Sequence, residues 1–228
     1  MAGRRAVQLG RNEAGAAGHL AYSLAFAEMY DEAAIWFERV LEGDPSDLYA
    51  LISMTWFSTV NRDYPSAHRW AARALEASAD NGLVLWSVAQ LEIAEGDLEA
   101  AANTLGEIVK SQPNLSINGT PSAQVLLGWV LAESSSSEGQ EQLERLQELR
   151  LESATAGRAW EGTYRDLSVI ASVLGTPDEQ LRWFLEASRV DEGRALYHMA
   201  RDAPWLDPIR NTAEFQAWLE DEAEELAA

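Results

Sequence analysis

Cysteine is absent from the 228 residues, which excludes disulfides, thiolate metal sites and cysteine nucleophiles together. No run of eighteen apolar residues occurs, so no membrane-spanning helix is expected. Histidine is scarce: His19, His68 and His198 share no i, i+3 or i+4 spacing and form no His-Glu-x-x-His motif, so no metal site is expected. The glycines are scattered and build no phosphate-cradling loop. Ser134 to Ser137 is a low-complexity turn and lacks the Gly-x-Ser-x-Gly frame of a nucleophile elbow. No catalytic residue and no cofactor are therefore expected. Met1 to Arg11 show no apolar core followed by a cleavage site, so the expected location is cytoplasmic. On that ground the Asn114-Leu115-Ser116 and Asn118-Gly119-Thr120 triplets read as accidental matches to a glycosylation pattern.

Positive charge is also scarce. Lys110 is the only lysine, and 17 basic residues face 37 acidic ones, for a net charge of −20. A field of that sign repels phosphate backbones and anionic lipid, so neither nucleic acid nor membrane is an expected partner. It serves solubility, or it steers a basic partner. The 47% hydrophobic content is that of a globular chain and excludes bulk disorder.

What is present is internal repetition. Tyr30 to Leu41, Tyr64 to Leu75 and Leu98 to Val109 are three similar blocks. Ala33, Ala67 and Ala101 are spaced by 34, as are Phe37, Ala71 and Leu105, and Val40, Ala74 and Ile108. Positions i, i+4 and i+7 fall on one helix face, and the alanine at the first lets a neighbouring helix approach closely. A second helical stretch precedes each block, led by Leu20-Ala21, Met54-Thr55 and Val88-Ala89. Each unit is thus a helix-turn-helix hairpin, too small to bury both helices alone, so the units must stack.

The period, the small–aromatic–small pattern and the Asp44-Pro45 terminus resemble the tetratricopeptide repeat family over roughly residues 14–115. The resemblance implies an all-α, right-handed α-solenoid of stacked hairpins. The chain departs from the family in having Ala21, Thr55 and Ala89 at the eighth position, never glycine, and Ala79 in place of the second terminal proline. The expected organisation is one domain, 1–228. Residues 2–13 form a partial repeat, 14–115 three regular repeats, 116–192 two irregular ones and 193–228 a capping segment.

Beyond Pro113 the period drifts. Thr120-Pro121 predicts a helix start, and Thr176-Pro177-Asp178-Glu179 a capping box. Pro204-Trp205-Leu206-Asp207-Pro208-Ile209-Arg210 through Leu219 resembles the closing stretch of bacterial repeat regions attached to adenylate cyclases and transcriptional regulators. The acidic run Glu220 to Glu225 opposes the helix macrodipole, so a frayed end is expected there.

In the repeat family the fifth, ninth, twelfth and thirteenth positions of the first helix commonly face the concave groove. The resemblance therefore assigns Gly18, Tyr22, Ala25 and Phe26, then Ile52, Trp56, Thr59 and Val60, then Trp86, Gln90, Ile93 and Ala94 to that surface. The peptide-binding residues expected are Tyr22, Phe26, Ile52, Trp56, Val60, Trp86, Gln90 and Ile93. The alternative is that the tryptophans fill space between helices. These positions offer no cation of the kind the family's carboxylate clamps use, so the implied ligand is an apolar or basic segment. The implied function is a non-catalytic protein- or peptide-binding module, with self-association as a homodimer also open. Two alternatives stand beside it. One is a regulatory module of a larger bacterial signalling protein. The other is a helical-repeat enzyme, which would need a cleft holding carboxylates of strongly raised pKa.

Overall fold

The structure is a computed structural model, and it describes residues 13–27, 29–117, 119–190 and 194–227. The partial repeat expected at 2–13 lies outside them except for Glu13. Every regular element among the described residues is helical. Packing divides the chain into two compact units, Met1–Gly96 and Asp97–Ala228.

The first unit contains α1 (Glu13–Phe26), α2 (Tyr30–Gly43), α3 (Leu48–Val60), α4 (Tyr64–Ala77) and α5 (Gly82–Glu95). Helices α3, α4 and α5 start where short acceptors cap them. Asp47 Oδ1 accepts from the Ala50 amide at 2.8 Å and Asn81 Oδ1 from the Leu83 amide at 2.9 Å. Asp63 Oδ1 accepts from the Ser66 amide at 3.2 Å. Each bond satisfies one of the amides a helix start leaves open. The α3–α4 turn places Arg62 at φ +58°, and the turn after α5 places Gly96, one period on, at φ +79°.

The 34-residue spacing is written into the packing. Ala33, Ala67 and Ala101 have no exposed surface, and the residues four and seven further on are buried as well. On the alternate helices α1, α3 and α5, Ala21, Thr55 and Ala89 are equally sealed. Thr55 fits in place of a smaller residue because its hydroxyl donates to the Leu51 carbonyl at 2.9 Å, leaving only its methyl to pack. Burial of one large side chain such as Phe37 contributes about 1.5–3 kcal/mol.

The second unit contains α6 (Leu98–Ser111), α7 (Ala123–Glu133), α8 (Ser137–Thr155), α9 (Glu161–Leu174), α10 (Pro177–Val190) and α11 (Arg194–Asp202). A 3₁₀ turn (Pro204–Leu206) and α12 (Ala213–Ala227) complete it. The helix expected at Thr120-Pro121 starts later, with Ser122 at its N-cap. Two contacts explain the shift. The Thr120 hydroxyl is spent on the Ile117 carbonyl at 2.6 Å. The Asp166 carboxylate, from α9, takes both the Ser122 amide (2.7 Å) and its hydroxyl (2.8 Å).

The capping box at α10 forms as expected: the Thr176 amide donates to Glu179 at 3.1 Å, and the Glu179 amide donates to the Thr176 hydroxyl at 3.3 Å. Arg210 holds the end of α11, donating to the carbonyls of Ala200 (3.0 Å), Arg201 (2.6 Å) and Ala203 (2.6 Å). These are groups that a helix C-terminus otherwise leaves without partners. Phe215 of α12 is sealed against Phe184, 4.9 Å between ring centroids. The frayed end expected at Glu220 to Glu225 is not seen: α12 runs to Ala227. Glutamate, alanine and leucine are strong helix formers, and the anchored first turns supply the nucleus that this run only has to extend.

Candidate functional site: an uncharged strip on the first unit

Helix α3, LYALISMTWFSTV, contains no charged residue. It is apolar all round, a composition expected of a helix covered on most sides. Yet it leaves surface open. Tyr49 is 48% exposed, and Ile52, Trp56 and Val60 are half-buried on the same side of the helix, at spacings of three, four and four.

Neighbouring helices extend this surface. On α1, Tyr22 is half-buried and its ring lies 5.6 Å from that of Tyr49. On α5, Leu83 is 45% exposed and Gln90 half-buried. Burial pushes the hydroxyls of Tyr22 and Tyr49 up, that of Tyr49 further through the nearby Tyr22 and Asp47. Both phenols therefore stay protonated and can donate hydrogen bonds, and the strip stays neutral.

The expected groove residues divide into two sets. Tyr22, Ile52, Trp56, Val60 and Gln90 retain accessible surface. Trp86 and Ile93 are only 4% and 6% exposed and fill the interior. An aromatic strip through Tyr22, Trp56 and Trp86 is thus not what the structure shows; its open aromatic members are Tyr22, Tyr49 and Trp56. The physical reason lies on α5, where Trp86 occupies the offset of Ile52 one period earlier, and its larger ring is packed inward. The Phe26 side chain lies outside the described ones. Tyr49 and Leu83 were not among the expected residues, although their 34-residue separation marks them as one repeat position.

Other polar groups suit structural work. His68 Nε2 lies 2.8 Å from Glu95 on the surface, and the His198 side chain lies outside the described ones. Asp166 has no exposed surface and meets Arg150 Nε at 2.7 Å. Burial pushes its carboxyl up, against the pull of Arg150 and of the Ser122 bonds. Arg150 also donates to Asn114 at 3.0 Å and lies 5.6 Å from the Trp160 ring centroid. Sealed and saturated, the Asp166 carboxylate fastens the 112–122 loop to α8 and α9, and no substrate reaches it.

The helical fold is matched among solved structures. The fold is that of the tetratricopeptide-repeat solenoid. A thermophilic tetratricopeptide-repeat protein of Thermus thermophilus, TTC0263, aligns with a TM-score of 0.59 at 16% identity, covering 92% of this chain and 99% of that one. PilF of Pseudomonas aeruginosa aligns at 0.57 and 16% identity, covering 95% and 92%. PilW, described as a widely conserved type IV pilus biogenesis factor, aligns at 0.57 and 14% identity, covering 96% and 100%. No protein-family model matches the chain, and no curated protein matches it. Among the described residues, no helix of this repeat fold is long and apolar enough to cross a membrane.

Proposed function

We propose that the chain is a non-catalytic interaction module that binds a peptide or an extended protein segment on the uncharged strip of its first unit. The observation that carries this reading is α3: a helix without charge, in a chain of net charge −20, that keeps Tyr49, Ile52 and Trp56 accessible. Rigid aromatics lose little conformational entropy on binding and supply large contact area, which is why they dominate binding hot spots. The protonated, exposed Tyr49 hydroxyl supplies a donor for a peptide backbone. The chain's net charge of −20 favours segments with basic flanks and raises their association rate. Tetratricopeptide-fold neighbours agree with a protein-binding role, and the absence of a cation on the strip argues against capture of a terminal carboxylate.

The test is selection of a random-peptide library on the immobilised chain, followed by affinity measurement of the consensus peptides. Apolar or aromatic peptides with basic flanks are expected. A Tyr49→Ser/Trp56→Ala variant, shown to be folded by circular dichroism, should bind them at least about tenfold more weakly, the loss of roughly 1.4 kcal/mol typical of a hot-spot anchor. An Ile35→Ser variant, changed at an exposed residue of α2, should bind as wild type does. Equal affinity of wild type and the double variant overturns the proposal.

A further inference from the structure

Helices α2 and α4 both pack on α3, and between them lies a cleft of about 660 Å³. It opens beside α3 toward α2 and α4 and shares no lining residue with the strip above. Its floor is apolar, made by Met54 and Phe57 from α3, with Tyr30 and Trp70 as half-buried aromatic walls. Its rim is acidic: Asp31 and Glu38 come from α2 and Asp63 from the α3–α4 turn. Among the described residues the one cation lining it is Arg69, held by the Ser66 hydroxyl at 3.0 Å.

The three carboxylates differ in their duties. Asp63 caps α4, and its bonds to Ser66 hold its carboxyl below the usual range, so it stays ionised. Asp31 and Glu38 make no hydrogen bond or ion pair with any described residue, and both side chains are exposed. They are free to meet a guest. An apolar guest would strip water from them without compensation, and an acidic guest would be repelled. A guanidinium satisfies both features of the cleft: it forks onto carboxylates, and its weakly hydrated plane stacks on aromatic faces. The chain itself makes such stacks, with Arg39 4.9 Å from the Trp36 ring centroid and Arg182 4.4 Å from that of Trp183. Arg73 lies on Trp70 in the same way, at 5.0 Å, and turns its own charge to the Pro45 carbonyl at 3.1 Å.

We propose that this cleft is a second docking site, taking an arginine side chain presented by a basic segment of a partner protein. The probe is acetyl-Gly-Arg-Gly-amide, titrated into the full chain and followed by amide and indole NMR shifts. Saturable shifts are expected at Ser58, Asn61, Ser66 and the Trp70 indole. The lysine counterpart should bind more weakly, because it lacks the planar fork, and the glutamate counterpart not at all. Asp31→Asn/Glu38→Gln should weaken the arginine peptide about fivefold, and Arg69→Gln, by removing a like charge, should tighten it about threefold. All three side chains are exposed, so the fold should survive, which the unshifted remainder of the spectrum verifies. Tyr49→Ser should leave this titration unchanged, which separates failure here from failure of the strip. The proposal is overturned if the shifts spread over the whole acidic surface without saturating, if the double variant binds as wild type does, or if the lysine peptide binds equally well.

Discussion

At the scale of single residues, Arg62 stands out because it adopts a left-handed backbone conformation at which its own repeat partner is glycine, Gly96. A side chain there crowds the following carbonyl, at a cost of about 1 kcal/mol. We therefore expect Arg62→Gly to stabilise the chain by up to about that amount, read as a higher urea midpoint with an unchanged slope; an unchanged or lower midpoint would contradict it. The strip residues show how far single positions were legible in the sequence. Tyr22, Ile52 and Trp56, assigned to the groove by the repeat resemblance, were found accessible. Trp86 was not, because how much of a ring stays open depends on what stands across from it, and that neighbour is not periodic. Asp166 was invisible for a related reason: its partners Arg150 and Ser122 lie 16 and 44 residues away, at separations no repeat encodes.

Among the elements, α2, α4 and α6 were legible because each packs through an alanine, Ala33, Ala67 and Ala101, that recurs at 34 residues with apolar or small residues four and seven further on. Beyond α6 the second unit is built differently. Helices α7 and α8 approach so closely that a Cβ on Gly139 would come within 2.4 Å of the Ala132 nitrogen and 2.7 Å of the Gly128 carbonyl oxygen. Backbone cannot yield as side chains do, so Gly139→Ala must push the two helices apart. A Cβ on Gly128 would instead meet a Leu143 methyl at 2.8 Å, which can rotate. We expect Gly139→Ala to lower the melting temperature by the equivalent of about 1–3 kcal/mol, and Gly128→Ala to cost less. The reverse ranking would show that the crossing is looser than these distances. A single glycine in a stretch of serine, glutamate and glutamine carries no periodic mark, which is why this contact could not be anticipated.

For the molecule as a whole, net charge dominates. With 37 acidic residues against 17 basic ones, the folded chain repels itself more than an expanded one does. Screening should relieve this, so raising sodium chloride from about 10 mM to about 0.5 M, where the Debye length falls from roughly 30 Å to a few ångströms, should raise the melting temperature. A flat or falling melting temperature would mean that attractive ion pairs outweigh the excess.

The buried Asp166 clamp has a consequence for how such a chain can change length. The α3–α4 hairpin of the regular stretch carries its own caps, Asp47 and Asp63, and packs within its unit through residues that recur every 34 positions. Such a module can be copied or deleted in frame, and each new junction resembles the old one. The junction closed by Ser122, Arg150 and Asp166 draws on a loop and two helices at once. A duplication ending between them would leave a buried charge without its partner. Growth by tandem copying is therefore open to the regular stretch and barred across the clamp.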